Sequence, residues 1–279
     1  MNDEDVWPLM AIPRDRLGQG SGVRVRVGGD AEALALDMAR TMASLIRENN
    51  ATGRPTCLIG PVGPVGQYAH LARIMAEEQM DGSRTTIINM DEFLGDDGGW
   101  IDPAHPLSFR GFMDREFYAK MPPELAVLPQ NRIFPDPIRP EGLGGIIAER
   151  GGADACFGGI GLNGHIAFNE PEAADIEVFA RRFSRVLEIA PESRAHMAVN
   201  LSCALDLIPR RAVTVGMLEI LAARRLRFYA NRPWQRGVVR IALHGPVSAA
   251  CPASYLQRHP DAELVVTDEV AEAPEVRLR

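Results

Sequence analysis

Apolar and polar positions along the chain follow two rhythms, and the rhythms take turns. Residues 23–27 alternate Val with Arg, the period of a half-exposed strand. After Gly28-Gly29 the period lengthens. Leu34, Met38, Met42, Leu45 and Ile46 fall on one face of a helix that Asp30 is placed to cap and that ends near Asn49-Asn50. An apolar run at 56–59 predicts a strand, the loop Gly60-Pro61-Val62-Gly63-Pro64-Val65-Gly66 follows, and Tyr68, Leu71, Ile74 and Met75 mark the next helix. Residues 85–90 read as a β-branched strand terminating in Asp91-Glu92-Phe93-Leu94-Gly95. Phe109, Phe112, Met113 and Phe117 mark a helix closed at Lys120 by Met121-Pro122-Pro123.

The second half continues the alternation. Residues 132–134 read as a strand, a helix follows Pro140, and 153–156 is an apolar run with the character of a buried strand. The pattern then predicts a strand at 186–189, helices over 194–207 and 214–223, a strand at 226–230, a helix over 233–243 and a last strand at 263–267. Such alternation predicts an α/β fold, a mostly parallel, doubly wound, Rossmann-like sheet with helices on both faces. The first twenty residues, rich in Pro, Gly and charge, read as an N-terminal arm, and residues 21–279 as a single domain large enough to bury a sizeable core.

Composition narrows the function. Hydrophobic residues make up 46% and charged residues 24%, the balance of an ordinary globular protein. No apolar run approaches the roughly 20 residues that span a bilayer, and the acidic start Met1-Asn2-Asp3-Glu4-Asp5 is unlike a signal peptide, so a cytoplasmic location without membrane attachment is expected. A net charge of −7, with no Arg-rich run interleaved with aromatics, argues against nucleic acid as a partner. Cys57, Cys156, Cys203 and Cys251 form no metal-ligand spacing and read as buried thiols. Lysine occurs once, at Lys120, in a position that suits a solvated helix C-terminus, so Schiff-base chemistry has one candidate only.

The chemistry gathers after three strands. The Gly-rich segment that follows the 153–156 run carries Asn163, His165 and Glu170, and its glycines permit positive φ and close backbone approach. A histidine on such a turn, with an amide two residues before it and a carboxylate five after, is suited to proton transfer. Asp91 ends another strand, where a carboxylate is expensive to bury unless it faces a ligand. The Gly60 loop ends a third. One crevice at the carboxyl edge of the sheet would hold all three.

At these residues the chain resembles the glucosamine-6-phosphate deaminase/isomerase family. Asn89-Met90-Asp91-Glu92-Phe93-Leu94-Gly95 resembles its Asn-Met-Asp-Glu-aromatic block, and His105-Pro106-Leu107-Ser108 its His-Pro-x-Ser segment. Gly161-Leu162-Asn163-Gly164-His165-Ile166-Ala167-Phe168-Asn169-Glu170-Pro171 is similar to its catalytic loop nearly residue for residue. The resemblance covers roughly residues 25 to 270. It implies conversion of a 2-amino-2-deoxy aldose to a ketose with release of ammonia, without a metal or organic cofactor, in a chain expected to form a homo-oligomer. It further implies that Asp91 moves a proton between C2 and C1, and that His165 assists ring opening while Asn163 and Glu170 orient it. Gly60, Gly63, Glu92, Ser108 and Gly164 would contact the sugar. Many family members carry Asp where this chain has Asn163, and an amide holds the ring without supplying charge.

One subsite departs from the pattern. The family cradles the sugar phosphate with Thr/Ser-Gly-Gly-Thr/Ser-Pro, whereas Gly60-Pro61-Val62-Gly63-Pro64 lacks both hydroxyls, and Pro61 has no N–H to donate. The family's phosphate-binding lysine maps to Gln235, or within a residue of it to Arg236. The expected substrate is therefore an amino sugar that is not 6-phosphorylated, or one whose anionic group is met by Arg232 or Arg236. A non-catalytic sugar-binding or regulatory homologue and a sugar-phosphate lactonase stand as alternatives. Retention of Asp91, His165 and Glu170 together favours the enzyme, and the Asn-Glu-Pro ending disfavours the lactonase.

Overall fold

Short runs whose residues are buried on both sides can only sit inside a sheet covered on both faces, and the chain supplies several. The structure, a computed structural model, describes residues 3–63 and 66–278; Pro64 and Val65 of the loop after the second strand lie outside the described residues. Among the described residues the strands are β1 Arg24–Val27, β2 Thr56–Gly60, β3 Thr85–Asn89, β4 Asp91–Leu94, β5 Arg132–Ile133, β6 Ala155–Gly159, β7 Arg185–Glu188, β8 Arg211–Thr214, β9 Leu226–Ala230 and β10 Ala262–Val266. Seven of them form one sheet in the order β1-β10-β9-β6-β2-β3-β5, and every pairing in it is parallel. The mostly parallel, doubly wound sheet expected from the alternation is therefore the fold.

Strand alternation divides the core in two. Ile59, Ile88, Cys156 and Phe228 point into one cluster, and Leu58, Ile87, Phe157 and Tyr229, their neighbours along the strands, point into the other. The second face is covered by the helices Ala31–Ala51 and Gln67–Glu77. The first is covered by Leu143–Glu149 and Gln235–His244. Asp30 caps its helix as expected, accepting from the Ala33 N–H at 2.8 Å. The first twenty residues include a helix, Asp3–Met10, that packs on Gln235–His244. Arg240 Nε donates to the Ile12 carbonyl at 2.8 Å, and Leu17 is buried in the core.

The sequence pattern and the structure part at the second sheet. Asp91–Leu94, read as the turn that ends a strand, is itself a strand, and it pairs antiparallel with β8, which pairs antiparallel with β7. The predicted helix over 214–223 is shortened to Met217–Leu221, because Arg211–Thr214 is β8, and the predicted helix over 194–207 is Pro191–Asn200 followed by a 3-10 turn at Leu205–Leu207. β-branched Val213 and Thr214 pack better in the pleat than on a helix. Of the four thiols, Cys203 is half-buried rather than buried. Lys120 is the last residue of a 3-10 turn, Tyr118–Lys120, and pairs with Glu116 at 2.5 Å on the surface. Among the described residues no helix is long and apolar enough to cross a membrane.

Two features of this topology place a crevice. From β2 the sheet continues outward through β3 and β5, while from β6 it continues the other way through β9 and β10, so the strand order reverses between β2 and β6. Crevices in open α/β sheets form at the carboxyl ends of such a pair. Met90 joins the two sheets there. Its N–H donates to the Gly60 carbonyl at 3.0 Å, and its carbonyl accepts from Val215 N–H at 2.7 Å. The core beneath is tightly specified. Leu58, fully buried with Met42, Leu71 and Met75, should cost about 3 kcal/mol on Leu58→Ala, read as a lowered urea midpoint at unchanged m-value.

Candidate functional site

Asp91 is the first residue past the seam between the sheets. Its backbone is fixed by pairing with Thr214, and its side chain lines a crevice of about 280 Å³ together with Gly63, Gly161, His165, Arg232 and Trp234. Among the described residues no group hydrogen-bonds or pairs with its carboxylate. Burial, and then repulsion from the adjacent Glu92, push its pKa from an ordinary 3.8 up to about 8. A dry carboxyl facing an open crevice is suited to take a proton from carbon and return it.

Glu92 turns the other way along the strand, and it is fully buried. Its oxygens accept from the backbone N–H groups of Phe93, Phe109 and Arg110 at 2.8 to 3.0 Å and from the Ser108 hydroxyl at 2.9 Å. Ser108 caps the helix Phe109–Glu116 by accepting from the Gly111 N–H. The two residues therefore anchor a helix start to β4, and neither lines the crevice. This differs from the expectation that both contact a sugar.

Across the crevice stands His165. Its Nδ1 lies 2.8 Å from Asn163 Oδ1, 3.3 Å from Glu170 Oε2 and 3.2 Å from Ser193 Oγ. Two of these partners only accept, so Nδ1 carries the proton and Nε2 is the ring atom free to act. Asn163 also donates through Nδ2 to Glu170 Oε2 at 2.8 Å, which closes the network. Burial raises the Glu170 carboxyl, but hydrogen bonds from His165, Asn163 and Ser193 and the charge of His165 outweigh it and hold the group below the ordinary range. The ring lies directly over Gly161, where a Cβ would come within 2.0 Å of Nε2. Gly164 has φ +89°, and a Cβ there would meet Cys251 Sγ at 2.7 Å. These two glycines let the turn fold under the imidazole.

The loop is tied to the small sheet. Phe168 N–H donates to Thr214 Oγ1, Asn169 Nδ2 donates to the Val215 carbonyl, and Asn169 Oδ1 accepts from Arg185. The segment that carries His165 and the strand that carries Asp91 thus share β8 as their support.

The remaining expected residues divide. Gly63 and Arg232 line the crevice. Gly60 lies beneath it, with the Tyr68 hydroxyl 2.5 Å from where its Cβ would be. Gly164 is likewise behind the loop rather than in the crevice. Arg236 donates through Nε to the Glu269 carbonyl at 2.8 Å and lies outside the lining. Gln235 does line it, but its amide is committed to backbone. Oε1 accepts from Asn231 and Arg232 N–H at 2.8 Å each, and Nε2 donates to the Ile160 carbonyl at 2.7 Å. Ser193, Asn200 and Trp234 escaped the sequence reading. A Trp four residues past a strand end, in a Pro-containing turn, was the one available signal among them.

Comparison with known proteins gives a consistent picture. No family model matches the chain. A glucosamine-6-phosphate deaminase of Hahella chejuensis is 30% identical over 265 residues, covering 89% of this chain and 91% of its own length. One from Streptomyces avermitilis is 31% identical over 254 residues, covering 88% of each. Among solved structures, a monomeric glucosamine-6-phosphate deaminase, described as a missing link of its superfamily, superposes with a TM-score of 0.76 at 25% identity over 89% of this chain and 99% of that one. A 6-phosphogluconolactonase from Thermotoga maritima shares the fold at 10% identity, with a TM-score of 0.60 over 88% of this chain and all of its own.

Desolvation of Asp91 has a thermodynamic consequence. Its folded pKa is raised, so the folded state keeps a proton that the unfolded chain has lost between pH 3.8 and about 8, and stability falls as pH rises through that window. Asp91→Asn removes the penalty. The variant's melting temperature, relative to the parent, should climb by about ten degrees from pH 4 to pH 9, and a difference that stays flat would mean the carboxyl is not desolvated.

Proposed function

The chain belongs to the glucosamine-6-phosphate deaminase family, and from that premise we propose that it converts a 2-amino-2-deoxy aldose to the ketose with release of ammonia, on a sugar that carries no 6-phosphate. The observation that supports the chemistry is Asp91, a buried carboxyl with its pKa raised to about 8 and no partner among the described residues, in one crevice with the free Nε2 side of His165.

In this reading His165 Nε2 exchanges a proton with the ring oxygen as the pyranose opens, while Asn163, Glu170 and Ser193 hold Nδ1–H and steady the imidazole in both charge states. The Asp91 carboxylate takes the C2 proton, the electrons of that C–H bond become the C1–C2 double bond, and the C1=O π pair moves onto O1, which takes up a proton to give an enolamine. When Asp91 returns its proton to C1, the nitrogen lone pair forms C2=N and one N–H proton is lost, offsetting the proton gained by O1 and leaving an imine at C2. Water adds to the imine carbon, ammonia departs, and the ketone remains. Atoms balance as aldose amine plus water giving ketose plus ammonia. A carboxyl with a raised pKa suits both halves of the transfer, since it is basic enough to accept from carbon and acidic enough to donate back.

The distal end of the crevice supports the second half of the proposal. A phosphate dianion needs several cations or free N–H donors around it. Here the loop residues of the lining are Pro61, which has no N–H, Val62 and Gly63, neither of which carries a side-chain donor, while Gln235 is committed to backbone and Arg232 is the one basic side chain besides His165 among the described residues of the lining. A neutral hydroxymethyl end suits that composition.

The test is ammonia release from glucosamine set beside glucosamine 6-phosphate, with the Asp91→Asn protein as blank. Turnover of the free sugar with little or none of the phosphate is expected. Preference for the phosphate would overturn the lost subsite and keep the reaction, and silence on every amino sugar would sink the reaction itself. A further expectation concerns pH. The base works only when ionised, so kcat/KM should rise with pH along a limb centred near 8, and a limb near 4 would exclude Asp91 as the group it reports.

A further inference from the structure

We propose that Trp234 is the surface on which the sugar ring rests, and that its indole, rather than a cationic cluster, sets which sugars the crevice accepts. The inference rests on the amino-sugar reading above and names the residue that would replace phosphate recognition.

Trp234 lines the crevice just beyond β9, in the turn Asn231-Arg232-Pro233-Trp234. Gln235 fixes that turn, because Oε1 takes the N–H groups of Asn231 and Arg232 while Nε2 bonds Ile160 at the end of β6. The indole is braced from a second element. Its ring centroid lies 4.3 Å from that of His196, with the planes 76° apart, an edge-to-face contact that limits rotation. His196 is in turn set by Asn200, whose Nδ2 donates to His196 Nε2 at 2.8 Å. That bond requires a neutral imidazole, and burial, followed by the nearby His165, lowers the His196 pKa.

The same helix, Pro191–Asn200, carries Ser193 against His165 Nδ1. One rigid element therefore supports both the indole and the histidine that would open the ring, which holds the two at a constant separation. The polar atoms left over suit hydroxyls. Among the described residues the indole Nε1–H makes no hydrogen bond, and Asn200, with Nδ2 committed to His196, has Oδ1 left to accept. An indole offers a large apolar face to the C–H groups of a pyranose together with one donor at its edge, and it carries no charge to neutralise a phosphate dianion. A neutral amino sugar ring is the ligand class this arrangement fits.

The experiment has a kinetic and a binding arm, both on the full chain. Trp234→Ala should raise the KM for glucosamine about tenfold, equivalent to about 1.4 kcal/mol, with kcat changed far less, while Trp234→Phe, which keeps a ring against His196, recovers most of the loss. In the Asp91→Asn background, glucosamine should shift indole emission, and Trp234→Phe should abolish the shift although Trp7 and Trp100 remain. A KM unmoved by Trp234→Ala, or an emission change that survives Trp234→Phe, would overturn the proposal. Ammonia release with a KM indifferent to Trp234 removes this inference alone. A Trp234-dependent emission change without ammonia from any amino sugar removes the deaminase reading and keeps the sugar platform.

Discussion

A carboxyl kept dry and unpaired must be held by its backbone, since any side-chain donor would lower the pKa for which it is buried. The molecule meets that constraint at one residue boundary. β3 ends at Asn89, Met90 is bonded to Gly60 on one side and Val215 on the other, and β4 begins at Asp91. The chain passes from a parallel sheet to an antiparallel one within these residues, and the second sheet exists where it does because Asp91 is register-locked to Thr214. Glu92, next along, consumes three backbone N–H groups and a hydroxyl to stabilise its own charge. Two adjacent carboxyls thus have opposite environments, one saturated with donors and one stripped of them. Strand alternation is what separates them.

The histidine side obeys a different constraint, orientation rather than desolvation. An imidazole at the tip of a loop has two rotatable bonds and would wander; here three oxygens converge on Nδ1 and a glycine leaves room beneath the ring. Asn163 deserves its place through geometry, since its amide bonds both the ring and Glu170 and so couples them. Glu170 then carries the only formal negative charge in the network, a role that falls to it because residue 163 is neutral. Both halves of the crevice draw their support from β8, so Asp91 and His165 are fixed relative to each other by a strand that contributes no side chain to the crevice lining.

How much of this was legible in the chain follows from the range of the forces involved. The 3.6 and 2.0 periodicities report which faces are buried, and they located the parallel strands and the main helices without knowledge of partners. Asp91–Leu94 was misread because a strand that opens with two charges looks like a strand's end, and only its antiparallel partner, far away in sequence, reveals it. Asn163, His165 and Glu170 were visible because they lie within one turn. Ser193 reaches His165 from 28 positions away, and Trp234 is braced by His196 while its turn is tied through Gln235 to Ile160, on elements that folding brings to it. Glu92 and Ser108 carried the family motif, but their partners are each other and a helix start, which no motif states.

Gln235 shows why the distal end of the crevice cannot be altered one residue at a time. Its carbonyl is the acceptor for two backbone N–H groups in the turn that presents Trp234, and its amide nitrogen ties that turn to β6. A lysine at this position has donors only, so it could bond Ile160 but would leave the Asn231 and Arg232 N–H groups without their acceptor. Those groups would have to find water or a ligand anion, and the turn would be held only when one was bound. With glutamine the turn is complete in the empty protein. The turn that presents Trp234 is therefore preorganised without a bound charge, as the proposed recognition of a neutral sugar by contact requires.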